Sequence, residues 1–274
     1  MEKGILYLVA TPIGNLNDMT YRAVEILKEV DEIAAEDTRQ TLKLLNHFEI
    51  NKPMFSYHRH NEDVKTDLVI NKLLEGKNIA IVTDAGTPGI SDPGEVAVKQ
   101  AIEEGITVIP IPGACAMVNA LIASGLDTNQ FAFYGFLPLN NKNRKEQIDE
   151  LIKEKKTAIL YEAPHRIIDT LKEIDKNLSD RKAVVAHELT KIHESFYRGT
   201  PTEVIEKIGS PKGEYVILIE GNKVEEENEL LNLSLEDHYK YYENQGFEKK
   251  EIIKKIAKDR GVNKNTIYQH FIEE

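Results

Sequence analysis

The chain has 274 residues, of which 41% are hydrophobic and 30% charged, and its net charge is −11. That length admits one large core or two modest ones, in an ordinary soluble composition. The negative charge argues against coating nucleic acid by bulk attraction, while leaving room for a local basic patch. The single cysteine, Cys115, excludes an internal disulfide and a Cys-rich zinc site. No apolar run approaches the roughly 18 residues a membrane span needs. The apolar run near the N-terminus, residues 5–10, is too short for a secretion signal. A cytoplasmic protein without a metal is expected.

In chain order, the apolar runs at 5–10, 32–35, 54–56, 78–83 and 107–111 read as strands. The segments between them, at 20–30, 38–48, 64–74 and 95–104, carry apolar residues at helical spacing. This alternation predicts an α/β domain over 1–113, with a largely parallel sheet covered by helices. A second α/β domain is expected over 114–222. It has helices at 114–124, up to about 154, and at 165–174. Its strands fall at 131–136, 157–161, 182–189, 195–199 and 214–220. The glutamate-rich stretch 223–232 reads as an acidic linker. The remainder, 233–274, reads as three helices at 233–246, 249–259 and 265–272. Gly261 lies between the last two, as in a helix-turn-helix. Lys249, Lys250, Lys254, Lys255, Lys258 and Lys264 make this module either an RNA grip or a solvated basic face.

Three loops follow predicted strands. Residues 10–16, ATPIGNL, form a turn whose free backbone amides suit an anion. Residues 83–94, TDAGTPGISDPG, hold three glycines and two prolines, which no strand can continue. That loop should lie at the carboxyl end of a parallel sheet, where open α/β folds bind ligands. Residues 109–116, IPIPGACA, place small side chains where a flat ligand can approach the backbone. Neither a G-x-G-x-x-G nor a G-x-x-x-x-G-K-[ST] pattern occurs, which disfavours dinucleotide and P-loop folds.

These loops occur in order with AEDTR at 35–39, GFLP at 135–138, YEAPHR at 161–166 and ELTK at 188–191. Together they closely resemble the ribosomal RNA small subunit methyltransferase I family, over about residues 4 to 220. The resemblance implies the tetrapyrrole-methylase fold: two α/β domains holding S-adenosylmethionine in the cleft between them. It further implies methylation of a cytidine ribose 2′-hydroxyl in the decoding centre of the small-subunit rRNA, with naked rRNA or the 30S subunit as partner, and a homodimer. By motif, Gly86, Thr87, Pro88 and Ile90 stand for the family's cofactor loop. Thr87 replaces an aspartate common in the wider fold. Pro12, Cys115, Ala116, Tyr161 and Leu189 complete the implied cofactor contacts.

Such a reaction needs alignment of oxygen, methyl carbon and sulfur, worth about 7 to 11 kcal/mol. A positioned base adds about 100- to 10,000-fold. The base is expected among Glu36, Asp37, His58 and Glu188. Residues 36–39 read equally as a helix cap with an ion pair. Arg39, Tyr57, His58, Arg59, Arg144, Lys145, Arg166 and Lys191 are expected to contact RNA by stacking or phosphate binding. Satisfied ion pairs and solvated loops are the alternative at each. Two other classes stay open: a tetrapyrrole-type small-molecule methyltransferase, and a ligand-sensing helix-turn-helix regulator of DNA.

Overall fold

The computed structural model describes residues 2–223 and 229–271; most of the expected acidic linker, 224–228, lies outside the described residues. The chain forms two compact units, Met1–Gly221 and Asn222–Glu274. The first unit contains two five-stranded sheets.

The first sheet is built from β1 (Ile5–Val9), β2 (Glu32–Ala35), β3 (Met54–Ser56), β4 (Ile79–Val82) and β5 (Thr107–Ile111). Their order is β3-β2-β4-β1-β5 and every pair is parallel. All four residues of β4 are buried, as expected of a strand covered on both faces. The helices α1 (Tyr21–Glu29), α2 (Thr38–His47), α3 (Glu62–Leu74) and α4 (Glu95–Glu103) supply the cover. One face packs Leu6, Ile79 and Ile81 against Val69, Leu73 and Ala97. The other packs Val9, Ala80 and Val82 against Ala23, Leu27 and Leu45. Thr20 caps α1 by accepting from the Ala23 amide, and Asp37 caps α2 through the Arg39 amide.

After α5 (Ala116–Ser124) the second sheet begins. It comprises β6 (Phe131–Phe136), β7 (Thr157–Glu162), β8 (Ala183–His187), β9 (Ser195–Gly199) and β10 (Tyr215–Ile219), in the order β6-β7-β10-β8-β9. Only β6 and β7 run parallel; the other pairs are antiparallel. One face is covered by α6 (Asn141–Lys153), α7 (Ile167–Leu178) and α8 (Pro201–Ile208), the other by α5. The register of β6 shifts between Phe133 and Gly135, and Gly135 has φ +65°. This is a β-bulge, one extra residue in the strand. The helix expected from residue 114 starts instead at Ala116, because Cys115 is in extended conformation as its N-cap.

The second unit folds on itself. Helices α9 (Leu235–Glu243), α10 (Lys249–Asp259) and α11 (Lys264–His270) enclose Ile252, Ile253, Ile256, Ala257 and Ile267. The fully buried His238 faces Asp259 through Nε2 at 3.2 Å and accepts from Arg260 Nε at Nδ1, also at 3.2 Å. Lys255 lies over the rings of Phe247 and Tyr242, at 4.2 and 5.2 Å. Lys249, Lys250, Lys254, Lys258 and Lys264 are exposed. Among the described residues no helix is long and apolar enough to cross a membrane.

Ile217 sits at the centre of β10 with no exposure. Ile217→Ala is expected to cost about 2–5 kcal/mol, by lost burial and the cavity left behind. The check is a lower urea midpoint with an unchanged m-value.

Candidate active site

The loops at the carboxyl ends of the first sheet are laced to one another. Thr11 and Gly86 exchange both backbone hydrogen bonds: Thr11 N donates to Gly86 O at 2.9 Å and Gly86 N to Thr11 O at 3.1 Å. The buried Thr11 hydroxyl donates to Thr83 O at 3.0 Å. Gly86 has φ +88°, which disfavours any side chain, and a Cβ there would lie 3.2 Å from Ile13. Farther along the loop the Thr87 hydroxyl donates to Ala114 O at 3.0 Å, joining it to the loop after β5. On the other side, Asp84 N donates to Glu36 Oε2 at 3.2 Å, and Asp37 N donates to Asp84 Oδ1 at 3.1 Å. The loop's far end is pinned to α3, where Glu62 accepts from Gly94 N at 2.8 Å.

These loops form one wall of an open cleft. Ile13, residues 85–87, residues 90–92, Cys115 and Ala116 line that wall. The opposite wall comes from the second sheet and its loops, with Phe136, residues 161–164, Ala186, Leu189 and residues 214–216. Tyr161 joins the two: its hydroxyl accepts from Met117 N at 3.2 Å, at the start of α5. Its ring meets Phe133 and Phe136, with centroids 4.9 and 5.7 Å away. Burial pushes the Tyr161 hydroxyl pKa up, so it stays protonated.

Of the residues expected to contact a cofactor, Gly86, Thr87, Ile90, Cys115, Ala116, Tyr161 and Leu189 line the cleft. Pro12 and Pro88 do not; they lie in the two loops behind it. The expected base candidates divide differently. Asp37 caps α2 and is held by Arg39 at 2.7 Å, which brings its carboxyl down to about 2. Burial would raise Glu188, but the Lys191 ammonium at 2.8 Å and the Glu214 amide more than offset it, and its pKa is lowered. Both carboxylates are therefore committed to neighbours and are weak bases. Glu36 is half-buried, and burial raises its pKa against the hydrogen bond from Asp84. His58 is held through Asn61, which accepts from its backbone amide at 2.8 Å, while its buried Nδ1 has no hydrogen-bond partner.

The expected RNA contacts need correction at four positions. Tyr57 is fully buried; its hydroxyl meets Thr66 at 2.8 Å and Glu62 at 3.2 Å, so its ring packs in the core and cannot stack a base. Arg144 bridges Glu173 at 2.6 Å and Thr170 at 2.9 Å. Arg166 donates to Leu137 O at 2.8 Å and pairs with the buried Glu162. Lys191 is shared between Glu188 and Glu214. All three cations brace the second half of the unit. Arg39, Arg59 and Lys145 remain exposed.

Several residues of this site, among them Phe136, Asp92 and Val216, are given no role by the sequence alone. Asp92 belongs to the Gly/Pro loop, yet composition does not tell which way a loop side chain points. It lines the cleft, half-buried. Burial raises its carboxyl to about 6; the Glu36 and Asp84 charges push the same way and Arg59 opposes them.

Fold and cleft together define a methylase of the tetrapyrrole type. The family described as Tetrapyrrole (Corrin/Porphyrin) Methylases matches residues 5–205. The fold is similar to that of uroporphyrin-III C-methyl transferase from Thermus thermophilus, solved with S-adenyl homocysteine. That match has a TM-score of 0.55 at 17% identity, covering 79% of this chain and 97% of the other. The chain is 51% identical to the Ribosomal RNA small subunit methyltransferase I of Halalkalibacterium halodurans, over 100% of its own length and 96% of the relative's. It is 47% identical to that of Bacillus subtilis, over 98% and 94%. It therefore belongs to the ribosomal RNA small subunit methyltransferase I family, within the tetrapyrrole methylases.

The methyl donor of a methylase of this family is S-adenosylmethionine. The cleft residues fit it: apolar walls at Ile13, Ile90, Leu189 and Val216, and small residues at Gly86 and Ala116.

Asp92 yields a stability test. Its pKa in the fold lies above the unfolded value, so its protonated form favours folding. That contribution is complete below about pH 4 and is lost as pH rises through about 6. Asp92→Asn is expected to stabilise the protein by about 1–2 kcal/mol at pH 8, allowing for partial exposure, and to leave it unchanged near pH 3.5. Thermal melts at both pH values read the difference. Gly86→Val, strained and crowding Ile13, is expected to weaken S-adenosylmethionine binding at least tenfold by calorimetry, with the circular dichroism spectrum retained.

Proposed function

We propose that this chain transfers a methyl group from S-adenosylmethionine to the ribose 2′-hydroxyl of a cytidine in the decoding centre of small-subunit rRNA. The observation that carries the reading is the end-to-end kinship, 51% identity over all of this chain, with a relative named for methylation of that RNA. When bound, S-adenosylmethionine supplies an electrophilic methyl on a sulfonium. Gly86, Thr87, Ile90, Cys115, Ala116, Tyr161 and Leu189 would hold it in the cleft. The Thr87 hydroxyl, fixed on Ala114, holds its loop in place rather than offering a carboxylate. The apolar walls exclude water from the reacting atoms. Arg39, exposed in the first turn of α2, and Arg59, exposed on the loop after β3, suit the phosphates of an RNA strand entering the cleft from that edge. Glu36 and Asp37 tie the segment after β2 to the donor loop through Asp84. The exposed lysines of the second unit add a separate basic surface.

The test is incubation with tritium-labelled S-adenosylmethionine and small ribosomal subunits, or free rRNA, that lack the modification. Label in RNA, with a single internucleotide bond turned resistant to alkali, is the expected result. Label confined to a porphyrin precursor would instead make the chain a small-molecule methylase. Arg59→Ala is expected to raise KM for RNA and to flatten its salt dependence by about one unit of slope, leaving donor affinity unchanged.

A further inference from the structure

We propose that Asp92 is the proton acceptor for the attacked hydroxyl, a catalytic residue of the cleft; the proposal rests on the hydroxyl methylation put forward above. In that step the hydroxyl oxygen bonds to the methyl carbon as the carbon–sulfur bond breaks with its electron pair onto sulfur. The hydroxyl proton passes to the Asp92 carboxylate, which later returns it to water. A neutral thioether and a methyl ether remain.

The assignment follows from what the other carboxylates do. Three acidic residues line the cleft: Asp92, Glu162 and Glu214. Glu162 is buried and fully engaged, accepting from the Ala163 amide at 2.9 Å and the Thr170 hydroxyl at 2.6 Å and pairing with Arg166. Glu214 is held by the Lys191 ammonium at 2.9 Å, on the exposed rim. The Asp92 carboxylate alone of the three makes no hydrogen bond or ion pair within the described residues. A half-buried carboxylate without a partner is costly to keep, and such groups concentrate where chemistry needs them.

Its placement is rigid. Gly89 N donates to Pro93 O at 3.1 Å, closing a tight turn around it, and the preceding residue, Ser91, is held at φ +64°. A non-glycine residue keeps that backbone only where its surroundings enforce it. The charged and titratable groups facing Asp92 are Asp84 of its own loop, Glu36 after β2, Arg59 after β3 and the Tyr161 hydroxyl of β7. Burial and the two acids keep its basicity well above that of an ordinary aspartate, with an apparent pKa of about 6. At neutral pH it is therefore ionised and still a useful base, which suits general-base work.

Two measurements test this. In carbon-13 spectra of aspartate-labelled protein without donor or RNA, one carboxyl resonance is expected to titrate near pH 6 and to vanish in Asp92→Asn. In single-turnover methylation with donor and RNA saturating, Asp92→Asn is expected to lower the rate about 100-fold or more. Donor affinity should stay within about threefold, the acidic limb of the pH–rate profile near 6 should disappear, and Asp92→Glu should recover part of the rate. A resonance titrating near 4, or an Asp92→Asn rate within about threefold of wild type, overturns the proposal. So does a loss of donor affinity that accounts for the whole rate change, which would make Asp92 a donor-binding group. A wild-type chain that binds donor but labels no small-subunit RNA fails at the substrate and takes the proposal with it, a result that does not depend on residue 92.

Discussion

The pair of backbone hydrogen bonds between Thr11 and Gly86 holds the site together. β1 and β4 are parallel, and their loops would diverge beyond the last strand residue. The reciprocal pair prevents that and turns two loops into one antiparallel step at the carboxyl edge. Once it is made, the Thr11 hydroxyl can reach Thr83, and the Thr87 hydroxyl can reach Ala114. Three loops from three adjacent strands are thereby joined into one wall. Gly86 is the residue that permits this, because the pair needs its backbone at positive φ.

That wall explains why the polar groups of the site fall into two sorts. Most are structural and mutually satisfied: Asp37 with Arg39, Glu188 with Lys191, and Glu162 with Thr170 and Arg166. They anchor helix ends and strand ends, and their pairings lower the basicity of Asp37 and Glu188. A few are left without compensation, and Asp92 is the clearest, since burial and two neighbouring acids act on it together. Stability and reactivity thus reside in different carboxylates of one cleft.

Much of this fold was legible in the residues. Apolar runs such as ILYLVA and NIAIVT mark buried parallel strands, because only a strand covered on both faces is apolar throughout. The Gly/Pro density of residues 83–94 marks a shaped loop, and its place after a strand marks the ligand edge. Less legible was the direction of individual side chains. Tyr57 follows a strand amid histidines and arginine, which suggests a nucleic-acid surface, yet its hydroxyl finds Thr66 and Glu62 inside and its ring is buried. Arg144, Arg166 and Lys191 look like phosphate ligands in sequence and are braces in space, because their partners lie 29, 4 and 23 residues away on other elements or turns. Asp92 could not be singled out, since its orientation depends on the left-handed backbone of Ser91.

The bulge in β6 governs which side of the second sheet its aromatic residues occupy. Successive strand residues alternate faces, so positions an odd number apart normally point to opposite sides. Phe133 and Phe136 are three apart, yet both meet Tyr161 on the cleft side. Tyr134 and Leu137, also three apart, both pack into the opposite core. The extra residue at the shift between Phe133 and Gly135 reverses the parity at that point. Deleting the extra residue, Tyr134, would remove the bulge and restore the regular alternation, leaving Phe136 toward Tyr161 and Leu137 toward the opposite core. What the extra position adds is one more side chain for the core: the strand buries both Tyr134 and Leu137 there without turning its two phenylalanines away from Tyr161.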